Sequence, residues 1–203
     1  MNVIDISAWQ ENVDWQALKN AGVEGVILKI GEKRHLDDMF VTHVNNAVKY
    51  GFKYGVYYYA NAYTREMAIE EADIVAGWLK EYLRGETPEL GIWYDAEDDD
   101  MLNGDVTQVC MAFLNQLTNY GHQYQGIYAS WDWLSAEGSH YIHIEELPSY
   151  VPYWVANCGS GNTFETACKD YLKEEYPNNI IRMHQFTWNL EGFGIDADIY
   201  YME

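Results

Sequence analysis

The sequence predicts an α/β fold, a TIM-like barrel of eight strands whose regular helices fade in the last third of the chain. Three observations carry this. A unit recurs in which a helical stretch stops at a Gly, a second Gly follows a few residues on, and a β-branched or aromatic run comes next. Helical stripes fill the intervals between such runs. Eight strand-like runs fit within 203 residues, close to the ~200-residue lower limit of a (β/α)₈ barrel.

Taken in order, the first strand falls near 3–7 and a short helix near 14–21. Gly22 and Gly25 then precede a strand at 25–31. A helix near 38–50 ends at Gly51, and Gly55 leads a strand at 54–60. Glycine suits the left-handed residue just past a helix end, which accounts for the first Gly of each pair. Ala68, Ala72, Val75, Ala76, Leu79, Tyr82 and Leu83 share one helical stripe before a strand at 90–97. Val106, Val109, Cys110, Phe113, Leu114 and Leu117 form the next stripe, and Asp105 with Gln108 three residues on has the spacing of a capping box, so that helix begins near 106. Gly121 and Gly126 precede the strand at 125–130. Three further strands at 151–156, 180–186 and 195–201 are joined by segments of weak helical character. Strand alternating with helix implies parallel pairing and right-handed crossovers. No linker, low-complexity segment or second domain is evident, so 1–203 reads as a single domain.

Composition narrows the function. With 12 Lys+Arg against 32 Asp+Glu the net charge is −20, which leaves no basic stripe for nucleic acid. A hydrophobic content of 48% is too high for a disordered chain. No apolar run approaches the ~20 residues that span a bilayer, and residues 1–5 are not a charged-then-apolar signal peptide. Of the three cysteines, Cys158 and Cys168 are the pair that could close a loop, while Cys110 reads as a buried thiol.

In a parallel barrel the reactive groups sit at the C-terminal ends of the strands. Those ends are rich in acids. Alternation puts Trp93, Asp95 and Glu97 on one face of the fourth strand and Ile92, Tyr94 and Ala96 on the other. In the eighth strand Ile195, Ala197 and Ile199 share the apolar face, which turns Asp196 and Asp198 inward; Asp5 turns inward opposite Ile4 and Ile6. Lys29, Tyr57, Tyr59, Trp154 and Gln185 complete the set at the strand ends. Four or five carboxylates meeting at one mouth raise each other's pKa. A carboxylic acid kept neutral beside ionised ones is what glycoside cleavage requires. Trp9, Tyr59, Trp93, Trp154 and Trp188 are expected around the rim, where they would suit the apolar faces of sugar rings. The acidic run Glu97 to Asp100 with Asn103 lacks the spacing of an EF-hand calcium loop and reads as a solvated loop. His140 and His143 are spaced as ligands on one helical turn, but no third ligand is evident, so no metal site and no cofactor are expected. There is no nucleophile elbow and no phosphate loop.

This ordered set resembles glycoside hydrolase family 25, lysozymes that cleave peptidoglycan as N-acetylmuramidases, and the likeness runs through nearly the whole chain. It is carried by residues 4–10 with Val13, Asp14 and Trp15, by 26–32, by 55–60, by 92–97, by 153–156, and by Gln185 with 195–198. The resemblance implies a barrel of eight strands with about five helices. It implies Glu97 as general acid, Asp95 as the group that orients or polarises the substrate acetamide, and Asp5 and Asp196 as the rest of the carboxylate ring. Tyr58 stands where the family often carries His, and Asp198 where Asn is frequent; Asp196 is favoured over Asp198 because its flanks fit better.

The expected reaction is hydrolysis of the β-1,4 bond between N-acetylmuramic acid and N-acetylglucosamine. A chitinase-like hydrolase would need an Asp at the position of Trp93, and a sugar-binding module without turnover would not need every acid. The expected partner is the peptidoglycan glycan strand, with wall targeting left to a separate domain or partner. The expected place of action is the bacterial wall, reached as a secreted enzyme or as a phage endolysin released at lysis.

Overall fold

The structure, a computed structural model, describes residues 1–159, 161–167 and 179–201. Cys168, one half of the loop-closing pair considered above, lies outside the described residues.

Eight strands close on themselves: β1 (Asn2–Ile6), β2 (Gly25–Glu32), β4 (Lys53–Tyr59), β5 (Ile92–Asp95), β6 (Gln125–Ser130), β7 (Pro152–Ala156), β8 (Ile180–Thr187) and β9 (Asp196–Tyr200), with β9 returning to β1. A two-residue strand, β3 (His35–Leu36), hangs on β2 as a hairpin that the sequence reading did not foresee. Its turn uses Lys33 and Arg34 at φ 45° and 65°, left-handed positions normally announced by Gly or Asn.

The strands from β1 to β8 that neighbour one another in the barrel pair in parallel, as strand–helix alternation requires. The final strand does not. β9 runs antiparallel to both β8 and β1. The reason is the short link from β8, residues 188–195, which is too short for a crossover and can only turn back. Met1 and Tyr200 exchange backbone hydrogen bonds, so the two ends of the described chain lie side by side at the pole opposite the C-terminal ends of the parallel strands.

Five helices flank the barrel: α1 (Trp15–Asn20), α2 (Phe40–Tyr50), α3 (Arg65–Tyr82), α4 (Val106–Asn119) and the four-residue α5 (Trp131–Leu134). Asp14, Thr64 and Asp105 cap α1, α3 and α4 by accepting from the backbone N–H three residues on. The helices cover the outer faces of the strands. Tyr58, Tyr94 and Phe113 stack in that layer, with Tyr94 and Phe113 3.9 Å apart. The barrel interior holds a smaller cluster of Val3, Ile27, Trp93, Tyr128, Trp154 and Met183 among others. Gly126 makes room for it, since a Cβ there would come within 2.6 Å of the Trp93 ring. No helix among the described residues is long and apolar enough to cross a membrane.

Candidate active site

The mouth of the barrel is built by period-two alternation on the barrel strands. On β5, Trp93 and Asp95 point inward, and the ladder continues past the strand through the bonds Ala60 N–H to Asp95 O and Ala96 N–H to Tyr128 O, both 2.9 Å. That extension carries Glu97 to the same face, half-buried at the rim. Asp5 on β1 lies directly opposite Asp196 on β9. Because β9 runs backwards, Asp196 begins its strand rather than ending it, and this places it at the mouth, with Asp198 one inward step deeper. Asp196 is half-buried, whereas Asp198 is completely buried.

A hydrogen-bonded chain ties these groups together. The Tyr128 hydroxyl donates to Gln185 Oε1 at 2.9 Å, and Gln185 Nε2 donates to Asp5 Oδ2 at 2.9 Å. Trp154 Nε1 donates to Asp198 Oδ1 at 2.8 Å. The other oxygen of Asp198, Oδ2, is buried with no hydrogen-bond partner among the described residues, and the Asp5 carboxylate adds to the rise of its pKa. Glu97 Oε2 accepts the Ser130 N–H at 3.1 Å.

Burial is the main reason that every acid in this ring holds its proton to higher pH than usual. Burial, then the charge of Asp196, pushes Asp5 up to about 7. Burial raises Asp196 to about 6. Asp95 and Asp198 are driven well above the ordinary range, by burial first and then by the charges of Glu97 and Asp5 respectively. Burial also raises Glu97, against the pull of the Ser130 N–H. Lys29 is the cation that offsets Asp95. Its ammonium lies 5.2 Å from the Tyr59 ring centre and 2.6 Å from Glu32. The Asp95 Oδ1 atom is buried and has no hydrogen-bond partner among the described residues.

The structure places the sequence-derived residues unequally. Asp5, Asp95, Glu97, Asp196, Asp198, Gln185, Tyr57 and Lys29 come together. Trp93 and Trp154, expected at the rim, are each 1% exposed. They form the floor, edge to face at 6.0 Å, and Trp154 also packs on Tyr57 and Tyr128. Trp9 and Trp188 are exposed instead, at 89% and 67%. The reading of strand ends missed Tyr128, although it stands beside Asp95 in register and the same alternation would have found it. It also missed Glu32. The strand period puts residues 29 and 32 on opposite faces, but a bulge between Lys29 and Gly31 shifts the register and brings them to the same side. Tyr58 faces away from the mouth into the helix layer, where its hydroxyl accepts the Arg34 N–H.

The sequence profile of glycosyl hydrolases family 25 matches residues 4–195. This chain belongs to glycosyl hydrolase family 25. It is a glycoside hydrolase, and the barrel described above is that of the family. No curated protein matches it in sequence. Among solved structures it is similar to the catalytic domain of the endolysin ply40 from bacteriophage P40 of Listeria monocytogenes, with 20% identity, a TM-score of 0.76, and coverage of 99% of this chain and 93% of that one. It is also similar to a bacterial lysozyme from Streptomyces coelicolor, with 19% identity, a TM-score of 0.75, and coverage of 100% and 93%. The modular autolysin LytC from Streptococcus pneumoniae aligns at 21% identity and a TM-score of 0.74 over 98% of this chain but only 46% of that one. Of the two positions at which a departure from the family was expected, Tyr58 lies on the outer, helix-packed side and Asp198 beneath the mouth.

The second departure makes a test. Asp198 accepts from Trp154 through Oδ1, and Asn keeps that acceptor without a carboxylate whose ionisation burial and the Asp5 charge oppose. Asp198→Asn is therefore expected to keep wall-lysis activity and to raise stability above neutral pH, read by urea unfolding. Loss of activity in that variant would show that an ionised Asp198 is used.

Proposed function

We propose that this family 25 enzyme is a lysozyme acting on the bacterial cell wall, hydrolysing the β-1,4 bond between N-acetylmuramic acid and N-acetylglucosamine. The observation that carries the reading is the gathering of Asp5, Asp95, Glu97, Asp196 and Asp198 around one mouth, with burial holding Glu97 above its ordinary range. Solved relatives of the same fold include a phage endolysin, a bacterial lysozyme and an autolysin captured with a synthetic peptidoglycan ligand.

Glu97 is the general acid. One of its oxygens is held by Ser130, which fixes the carboxyl and leaves the other oxygen to carry the proton toward the glycosidic oxygen. Asp95 Oδ1, buried and without a protein partner among the described residues, is placed to accept the N–H of the substrate acetamide and orient it. Asp5, bonded to Gln185, and Asp196 supply negative charge that stabilises positive charge developing at the anomeric carbon. Lys29, Tyr57, Tyr59 and Gln185 line the approach as substrate-binding groups, while Trp93 and Trp154 support them from below.

Digestion of purified peptidoglycan, followed by borohydride reduction and sugar analysis, tests the reading. New reducing ends at N-acetylmuramic acid are expected, with chitin left untouched. Reducing ends at N-acetylglucosamine alone, or release from chitin instead, would overturn it.

A further inference from the structure

The connection between β6 and β7 carries a cluster that the hydrolytic reaction does not use. His140 Nε2 lies 3.3 Å from Glu145 Oε2, and His143 Nδ1 lies 3.7 Å from Glu145 Oε1. The two imidazoles meet edge to face, their centres 4.7 Å apart. One donor atom from each of the three residues falls within 4.8 Å of the other two. Metal bonds of about 2.0–2.2 Å in a tetrahedral arrangement put neighbouring donors roughly 3.4 Å apart, so the cluster already stands near the spacing that one ion needs.

The backbone holds it there. His140 sits at φ 52°, a left-handed conformation that a non-glycine residue adopts only when its surroundings impose it. Its N–H donates to Asp132 O at 3.0 Å, and the Ile142 N–H donates to Trp133 O at 2.9 Å, with the Ile142 side chain fully buried. The His143 N–H donates at 2.9 Å to the hydroxyl of Thr107, a buried residue of α4. Anchors on α4 and α5 therefore fix the ligand segment from both sides. Both imidazoles line an open groove of about 410 Å³ shared with Leu102, Asp105 and Glu146, so water reaches their side of the cluster. The spacing read from sequence as one helical turn is in fact an irregular loop, and the missing third ligand is Glu145, within the short 3₁₀ turn at Ile144–Glu146 that follows it.

We propose that His140, His143 and Glu145 bind one divalent cation of the zinc class, with water as fourth ligand. Two imidazoles and a carboxylate favour zinc, cobalt, nickel or copper over calcium or magnesium, whose sites are built from oxygen alone. The ion clamps the connection that starts at Ser130, the residue whose N–H holds Glu97. Its effect is structural, and it takes no part in bond cleavage.

The test uses the untagged protein stripped of metal. Calorimetric titration with Zn²⁺ at neutral pH is expected to show one ion per chain, and Co²⁺ is expected to give the visible absorption of a tetrahedral site, while Mg²⁺ and Ca²⁺ give neither. His143→Ala and His140→Gly are each expected to weaken Zn²⁺ binding about 100-fold. Glycine suits the left-handed backbone at that position, so His140→Gly should remain folded. Zinc should raise the melting temperature of the parent protein and not that of either variant. Absence of saturable Zn²⁺ binding, or binding undiminished in both variants, would overturn the proposal and leave Glu145 as a simple ion-pair partner of the two histidines.

Discussion

Replacing Glu97 by Gln is expected to lower the rate of wall lysis by about 10³-fold while leaving the protein folded. The amide retains an oxygen for the Ser130 N–H, so the side chain keeps its place but has no proton of suitable acidity to donate. Removing an acid from a buried site also removes the cost of ionising it, so the variant should melt no lower than the parent. Turbidity clearing of bacterial walls and release of reducing sugar measure the first effect, and thermal unfolding the second. Lysis undiminished in the folded variant would strip Glu97 of its role.

The second large effect is on stability. The free energy of unfolding is expected to fall as pH rises from about 4 to about 7, a window in which many proteins are near their maximum. In the unfolded chain Asp5 titrates at its ordinary 3.8, whereas in the folded barrel it does so at about 7. Asp196 moves the same way, to about 6, and Glu71, on the buried face of α3 and bonded to Tyr94 and the Asn61 N–H, rises from 4.5 to about 7. The folded state therefore binds more protons than the unfolded state across that window. The stability this contributes is complete below the unfolded values and is lost as pH passes the folded ones. Asp5 alone, shifted by about three units, represents about 4 kcal/mol at most. Urea unfolding at a series of pH values measures it. Asp5→Asn should flatten the slope and impair lysis, and Glu71→Gln should flatten it without touching lysis, because Glu71 lies in the helix layer. A slope absent in the parent would mean that the ring ionises without penalty. The self-repulsion of a chain with net charge −20 acts in the same direction but weakens with salt, whereas the buried contribution does not.

Much of this arrangement was legible in the sequence, because a strand's alternation fixes which side chains share a face. Trp93, Asp95 and Glu97 could be assigned inward from Ile92, Tyr94 and Ala96, and Asp5 and Asp196 by the same reasoning. Helix starts were readable where a short polar side chain stood ready to accept from the backbone, as at Asp105. Four things were not readable, for distinct reasons. Alternation gives the face but not the depth, so Trp93 and Trp154 were expected at the rim when they form the floor. It is also the same for either strand direction, so the expected parallel pairing gave no warning that β9 reverses. A bulge breaks the count outright, which hid the pairing of Lys29 with Glu32. Glu145 escaped because the irregular loop that carries His140 and His143 back onto it follows no period at all.

The reversal of the last strand also sets the direction in which this molecule can be extended. With Met1 bonded to Tyr200 on the side of the barrel away from Glu97, a polypeptide fused to either end would emerge behind the enzyme. A tether or anchoring module could then grip a surface from the rear while the cleft stays open to long, crosslinked polymer in front.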